Sequence, residues 1–551
     1  MDFGKYGEGP ALLKKWVAFP SMNGSPGERA FAEMLRETLM ELPYFQKHPE
    51  NLIFQEMHDG WNRANVLALV RGEKDNNPNT VILHGHFDTV GIEDYGTIIG
   101  DAFNADALPE KIRALTTDPY VLADIESGEW MFGRGVGDMK AGVVVNYLIM
   151  KAWSEHPGDL SGNILFMANP VEENEHTGVM KSLEVIKKLR DEDGLVFVSA
   201  LNTDAVSPLY PGDGAKYAYL GAGGKILPCF FVSGKPTHVG DYYSGVSASQ
   251  VVAEIIRGFE GNIDFVEQYD GESLAPPTAL KVKDLKPTYN VQTATAAFCY
   301  FNFFLMGSGI DVLLGRFKDV AAAAFETVYE RQRKDFDLFA ATSKYRKFEQ
   351  PDLTYNVYTY AELLKIATEK VPGVQASIDA IVGEAKKENL DLRETCLKVV
   401  EAVYTLSDIK TPTAVVFIAP PYCPTNSLTG GDAQDVKVRE IIREVYAAQA
   451  AAEQDDYKVL NYFPALSDSS YLKMDDSAAS VQALKGNLPD MAGIYPVPVD
   501  LIHELNIPAV TTGVYAKDAH KFTERVHIPY TFGVLPVSME KCIEKLLELT
   551  L

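Results

Sequence analysis

Cysteine is scarce. Cys229, Cys299, Cys396, Cys423 and Cys542 are the only five in 551 residues, and none is spaced as CxxC. So sparse and odd a set argues against both a disulfide framework and a thiolate metal site, and it fits a reducing compartment. Positive charge is also short. Lys plus Arg number 51 against 76 Asp plus Glu, a net charge of −25; a chain this acidic repels phosphate backbones and anionic lipid, so neither nucleic acid nor a membrane is an expected partner. Met1 to Lys15 has no apolar run of signal-peptide length behind a basic start, so the expected location is cytoplasmic. The one long uncharged stretch, Val291 to Ile310, includes Gln292, Asn302 and Ser308 and reads as a strand, not a span. There is no internal repeat and no low-complexity tract.

With 46% hydrophobic and 23% charged residues, the composition is that of a folded protein, and its length allows several domains. Apolar residues recur at helical spacing in Ala11–Val17, Glu28–Leu42, Val143–Trp153 and Val438–Ala452. Short apolar runs read as buried strands at Asn65–Val70, Val81–Leu83, Ile164–Ala168, Leu195–Val198, Ala414–Ile418 and Ala509–Thr512. Alternating strands and helices predict an α/β fold, a mixed sheet flanked by helices. The middle differs. After a glycine-rich hinge candidate, Pro211–Gly224, the order is strand (Ile226–Val232), helix (Val246–Phe259), two strands (Ala279–Leu285, Phe298–Leu305) and helix (Val312–Arg333). This βαββα order predicts an inserted α+β, ferredoxin-like unit over residues 214–350, closed by a strand near Tyr345–Phe348. The first domain is then expected in two parts, 1–213 and 351–551, with the helix-rich stretch 351–410 not firmly placed.

His84, His86 and Asp88 alternate at the exit of the run Val81–Leu83, and the two-residue period of a strand puts all three on one face. Imidazole binds zinc, and a carboxylate two residues on can hold the ring. Alone, the triplet is equally well explained as structure. Four further strand exits or turns carry similar groups: Asp138 in the glycine-rich turn Gly133–Lys140, Glu172-Glu173, Asp204 and His520. Each has an ordinary explanation by itself: a helix cap, an acidic loop, a turn, a surface histidine. Together they are the residues that gather beyond the carboxyl ends of strands in open α/β sheets, where ligands bind.

The strings Gly85-His86-Phe87-Asp88-Thr89-Val90, Gly133–Gly142 around Asp138, Glu172-Glu173, Asp204, Gly234-Lys235-Pro236-Thr237-His238, Asn290-Val291 and Ala519-His520 with Glu524 span about residues 12 to 530. In order and spacing the chain resembles the two-zinc exopeptidases, the metallopeptidase clan MH of aminoacylases, glutamate carboxypeptidases and bacterial dipeptidases. Within it the longer, helix-rich chain is most similar to the arginine-utilisation (RocB-like) branch. The resemblance implies two divalent metal ions, zinc first with cobalt or manganese as alternatives. One would be held by His86, Asp138 and Asp204, the other by Asp138, Glu173 and His520. It implies that Asp88 orients His86, that Glu172 is the general base towards a metal-bridging hydroxide, and that Asp138-Met139 is a cis peptide. His238, on the inserted unit, would reach a partner subunit's site and donate to the oxyanion, which requires a homodimer; the inserted unit would act as a lid.

The implied activity is hydrolysis of an amide bond in a small peptide or N-acyl amino acid, in an arginine-linked catabolic setting. Departures bear on the substrate. Asn302 stands where family members that clamp a substrate carboxylate commonly have Arg, and Asn cannot form a charge-assisted bidentate pair. Asp204 stands where dipeptidase and aminopeptidase members have Asp and deacylases have Glu, which tilts the expectation towards peptides. Gly91–Gly128 is an insertion that either shapes the pocket or decorates the surface. Two other readings compete. A catalytically silent metal-binding or assembly protein has no use for an unligated Glu172. A metallo-β-lactamase-like hydrolase would carry a histidine where Thr89 stands.

Overall fold

Four parallel strands with nearly unbroken burial form the centre of the first sheet: Asn163–Asn169, Asn79–His86, Val196–Asn202 and Ala509–Thr511. Runs such as Val81-Ile82-Leu83 and Ile164-Leu165-Phe166 have no polar face, because helices cover both sides of such a sheet. Outside them lie Ala64–Arg71 and then Leu52–Glu56, each antiparallel to its inner neighbour. At the other edge come Lys216–Tyr219 and Tyr457–Leu460, completing an eight-stranded mixed sheet. The computed structural model describes residues 3–342, 344–345 and 352–550. Among them, no helix is long and apolar enough to cross a membrane, and Val291–Ile310 contains the strand Ala296–Leu305.

The helix Ala141–Glu155 is buried almost all round its first turns. Gly142 explains its close approach: a Cβ there would meet the Thr203 carbonyl oxygen at 2.2 Å. The insertion 91–128 builds a small core of its own, with Tyr95, Leu108, Ile112 and Val121 against Phe132. All five cysteines are buried free thiols.

The chain divides into two units. One comprises Met1–Gly223, Asn426–Met474 and Asp500–Leu551; the other comprises Gly224–Thr425 and Asp475–Val499. The first crossing therefore falls at Gly223, inside the glycine-rich hinge candidate Pro211–Gly224 but after the expected bound at residue 213, and the first unit resumes at Asn426, not at residue 351. The reason is visible in the second unit's sheet, whose order is Thr278–Asp284, Ala296–Leu305, Gly224–Ser233, Thr413–Cys423, Asn356–Thr359. The elements follow the expected βαββα order, with helices Ala248–Phe259 and Ile310–Ala340. The strand containing Ala414–Ile418 belongs to this sheet, antiparallel to Gly224–Ser233. Successive side chains of a strand point to opposite faces: Phe230 packs on Phe259 of one helix, at 6.0 Å between rings, and Phe231 on Tyr404 of the helix Leu392–Ser407, at 5.3 Å. The helix-rich stretch thus covers the second face of this sheet and belongs to this unit. The strand expected at Tyr345–Phe348 falls on residues 346–348, outside the described residues; the next described strand is Asn356–Thr359.

Candidate active site

His86 is the last residue of the strand Asn79–His86 and is 1% exposed. Its Nε2 lies 3.1 Å from Asp138 Oδ1, and its Nδ1 lies 3.2 Å from the Asp88 carbonyl and 3.4 Å from Asp88 Oδ1. Asp138 leaves the glycine turn just before the helix Ala141–Glu155, and the Asp138-Met139 peptide is cis, as the resemblance implied. Its second oxygen, Oδ2, lies 3.2 Å from His520 Nε2, which is 3.0 Å from Glu173 Oε2. The two oxygens of Asp138 therefore face different imidazoles, the arrangement a bridging carboxylate needs.

Two ligand groups result, His86–Asp138–Asp204 and Asp138–Glu173–His520, each with its ligating atoms within 4.8 Å of one another. Bonds of about 2.0–2.2 Å arranged tetrahedrally put neighbouring ligand atoms roughly 3.3 Å apart, and the 3.0–3.2 Å separations match that spacing. The charges fit too. With imidazoles as the only cations, burial and then the charge of Asp138 push Asp204 up to about 8. Hydrogen bonds to Asp138 and Glu173 push His520 up to about 11. Carboxylates this crowded call for positive charge among them, and mixed imidazole–carboxylate sets suit zinc-like ions.

Asp88 does more than orient His86. Its Oδ1 accepts the Glu172 N–H and its Oδ2 the Glu173 N–H, both at 3.1 Å, and Asn23 Nδ2 also donates to Oδ2. One buried carboxylate thus fixes both glutamates. The turn needs such fixing, because Val171 has φ 72°, a left-handed conformation that a β-branched residue adopts only under strain. The His176 N–H closes the turn on the Val171 carbonyl at 2.8 Å. Glu172 stays outside both of these ligand groups; burial, its largest influence, raises its pKa well above the ordinary range.

The loop bearing His520 is held differently. Arg525 is bound by Asp124 at 2.7 Å and by Asp518 at 2.5 Å, while Lys517 also reaches Asp124 at 2.9 Å. Asp124 belongs to the insertion, which therefore braces a ligand loop. Beneath Asp138, Glu524 accepts the Gly137 and Asp138 N–H groups and pairs with Arg134 at 2.7 Å. Arg134 in turn reaches Asp94 and the Gly91 carbonyl in the insertion.

His86, Asp88, Asp138, Glu172, Glu173, Asp204 and His520 all come together in the first unit. His238 lies in the second, exposed, its Nδ1 accepting the Gly240 N–H at 3.0 Å. Asn302 is half-buried there on the strand Ala296–Leu305. Two residues near Glu172 carry no sequence motif: His176 and Asp468, a third buried group with Glu172. The spacing Glu172 to His176 was the available signal; Asp468 had none.

A model of peptidase family M20/M25/M40 matches residues 82–480. The chain belongs to this family. Of its M20 relatives, Protein RocB of Bacillus subtilis is 35% identical over 98% of this chain and 94% of its own length. Uncharacterized protein YqjN of the same organism is 34% identical over 98% and 96%. Among solved structures, aminopeptidase PepT of Bacillus cereus aligns over 98% of this chain and 100% of its own, with a TM-score of 0.51 at 13% identity. That likeness concerns the M20 fold alone.

Proposed function

We propose that the protein is a two-metal hydrolase that cleaves an amide bond in a small peptide or N-acyl amino acid. The observation that carries the reading is Glu172, a buried carboxylate outside both ligand groups whose Oε2 is 3.8 Å from His86 Nε2. His86, Asp138 and Asp204 would hold one ion and Asp138, Glu173 and His520 the other. When bound, such ions polarise the amide carbonyl and lower the pKa of water. Zinc is the proposed metal, with cobalt or manganese as substitutes. Glu172 takes the proton of the attacking water and returns it to the leaving amine. Asp88 keeps Glu172 and Glu173 in register through their N–H groups. His238, offered from the second unit of a partner subunit, donates to the oxyanion; a strictly monomeric active enzyme would refute that role, and with it the homodimer, while the lid reading stands apart from it.

Asp204 favours peptides over acylated amino acids, and Asn302 argues against a charged clamp on a free carboxylate. The net charge of −25 favours cationic substrates by steering. With the resemblance to the arginine-utilisation branch, this makes arginine-containing amides the first to try. The test is amine release from dipeptides and N-acyl amino acids by zinc- or manganese-loaded protein. Glu172→Ala should lower kcat about 10²–10⁴-fold while both metal equivalents stay bound. No release from any substrate would favour the catalytically silent reading.

A further inference from the structure

The Glu172 carboxylate lies between two imidazoles. Oε2 is 3.8 Å from His86 Nε2, and Oε1 is 3.9 Å from His176 Nδ1. His86 belongs to the first proposed ligand group, whereas His176 clusters only with Glu172 and Asp468. The His176 Nδ1 is 2.8 Å from Asp468 Oδ1, so the ring donates there, and the ring packs 5.2 Å from Tyr471. His176 has φ 55° and sits at the head of the helix Thr177–Asp193, where its own N–H closes the Val171 turn. A histidine held in this conformation by its backbone, with its ring tied to a buried acid, has its position fixed from both ends.

Asp468 is fixed as well. Ser467 beside it accepts Asn202 Nδ2 at 2.7 Å, at the end of the strand that leads to Asp204. Asp468 Oδ2 has no hydrogen-bond partner and lies 3.7 Å from His84 Nε2. That nitrogen donates to Asn169 Oδ1 at 3.0 Å, because the Asn169 amide already donates to Asn65 and Ser182. The acid is therefore set between two histidines and faces one of them, His176, at bonding distance.

We propose that His176 and Asp468 are positioning residues for Glu172, Asp468 fixing the His176 ring and the ring flanking the carboxylate that takes the proton from water and returns it to the leaving amine. This rests on the reading of Glu172 as the base. It assigns work to a histidine–carboxylate pair outside the ligand groups, of the kind whose loss costs about 10–100-fold in metal sites.

The experiment uses the zinc-loaded full chain and the variants Asp468→Asn and His176→Gln. The expected result is a kcat lowered about 10–100-fold, an unchanged KM and two bound metal equivalents throughout. A second readout needs no turnover: the ring N–H resonance of His176 in protein labelled with ¹⁵N-histidine, assigned by its loss in His176→Gln. It should shift in Glu172→Gln, which leaves the pair itself intact, and move in Asp468→Asn. If wild type hydrolyses nothing, the functional reading fails while this resonance still decides the coupling. An unchanged kcat in Asp468→Asn overturns the proposal, as does a resonance indifferent to Glu172→Gln. So does a third metal equivalent lost with Asp468→Asn, which would make the cluster an ion site.

Discussion

His86 and His520 lie 3.1 and 3.2 Å from the two oxygens of Asp138, yet the first side chain is 1% exposed and the second 51%. The enclosed flank is built at the exit of a central strand, where His86 pairs with Asn169, and His84, two residues before it, pairs with both neighbouring strands. The open flank hangs on a loop whose residues Asp518 and His520 both have positive φ and whose position depends on Arg525 and Lys517 gripping Asp124. Ordering a loop ligand costs conformational entropy that a strand ligand has already lost in folding. The two proposed ion sites, which share the Asp138 carboxylate, should therefore differ in affinity and exchange, with the open one weaker.

Asp138→Asn should have the largest effect, because it removes the only ligand both flanks share. Metal titration by calorimetry should show both equivalents weakened beyond the roughly 10–100-fold typical of losing a partner outside the ligand set. Retention of one tight equivalent would break the idea of a shared bridge.

The comparison itself is tested by His520→Ala against His86→Ala. The first should release one equivalent and leave the other in place. The second should disturb both, since His86 contacts Asp138 and stands next to Glu172. A chelator should likewise strip wild type in two phases, the first matching the equivalent lost in His520→Ala. A single phase would show that enclosure does not separate the sites.

Much of this was legible in the sequence because strand geometry is periodic. Apolar runs marked the central strands, and His86, Glu172-Glu173 and Asp204 follow them within a few residues. Asp138 was marked by its glycines. Asp468 was not legible: it sits among serines in a short turn and meets His176 across 292 positions, a contact no local pattern encodes. The unit boundaries were legible at one end only. The glycine-rich stretch Pro211–Gly224 contains the exit at Gly223, but the chain re-enters the first unit at Asn426 with no compositional break, and Ala414–Ile418 has the buried pattern of either sheet. The role of Asp88 was half legible. Its spacing from His86 announced ring orientation, but its hold on two N–H groups depends on the strained turn at Val171.

Asp88→Asn sharpens this point with a smaller effect. Asn keeps one accepting oxygen where the carboxylate uses two, so the register of Glu172 and Glu173 loosens while every ligand remains. Metal affinity should fall about 10–100-fold, mostly on the enclosed flank where His86 also loses the carboxylate charge 3.4 Å from its Nδ1 while keeping the Asp88 carbonyl, and calorimetry should show the two equivalents drawing closer in affinity. An effect confined to the open flank would contradict the assignment.

The smallest effect lies behind Asp88. Glu28 is fully buried, its Oε2 accepting the Gly24 N–H at 2.8 Å and an Arg63 N–H at 3.4 Å, and its Oε1 without a hydrogen-bond partner among the described residues. Burial, and then the charge of Asp88, pushes its carboxyl up to about 7. The unfolded chain gives up this proton near 4.5, so as pH rises from there through 7 the folded state loses stability relative to the unfolded one, fully by pH 8. Glu28→Gln removes the titration, and Arg63 keeps Asp59 at 2.7 Å. The variant should match wild type at pH 4 and exceed it by about 1–3 kcal/mol at pH 8. Urea unfolding followed by tryptophan fluorescence reads this cleanly, because Trp16, Trp61, Trp130 and Trp153 all belong to the first unit. A stability difference independent of pH would mean that Glu28 is ionised in the folded protein and that the enclosed flank carries one more negative charge than its packing indicates.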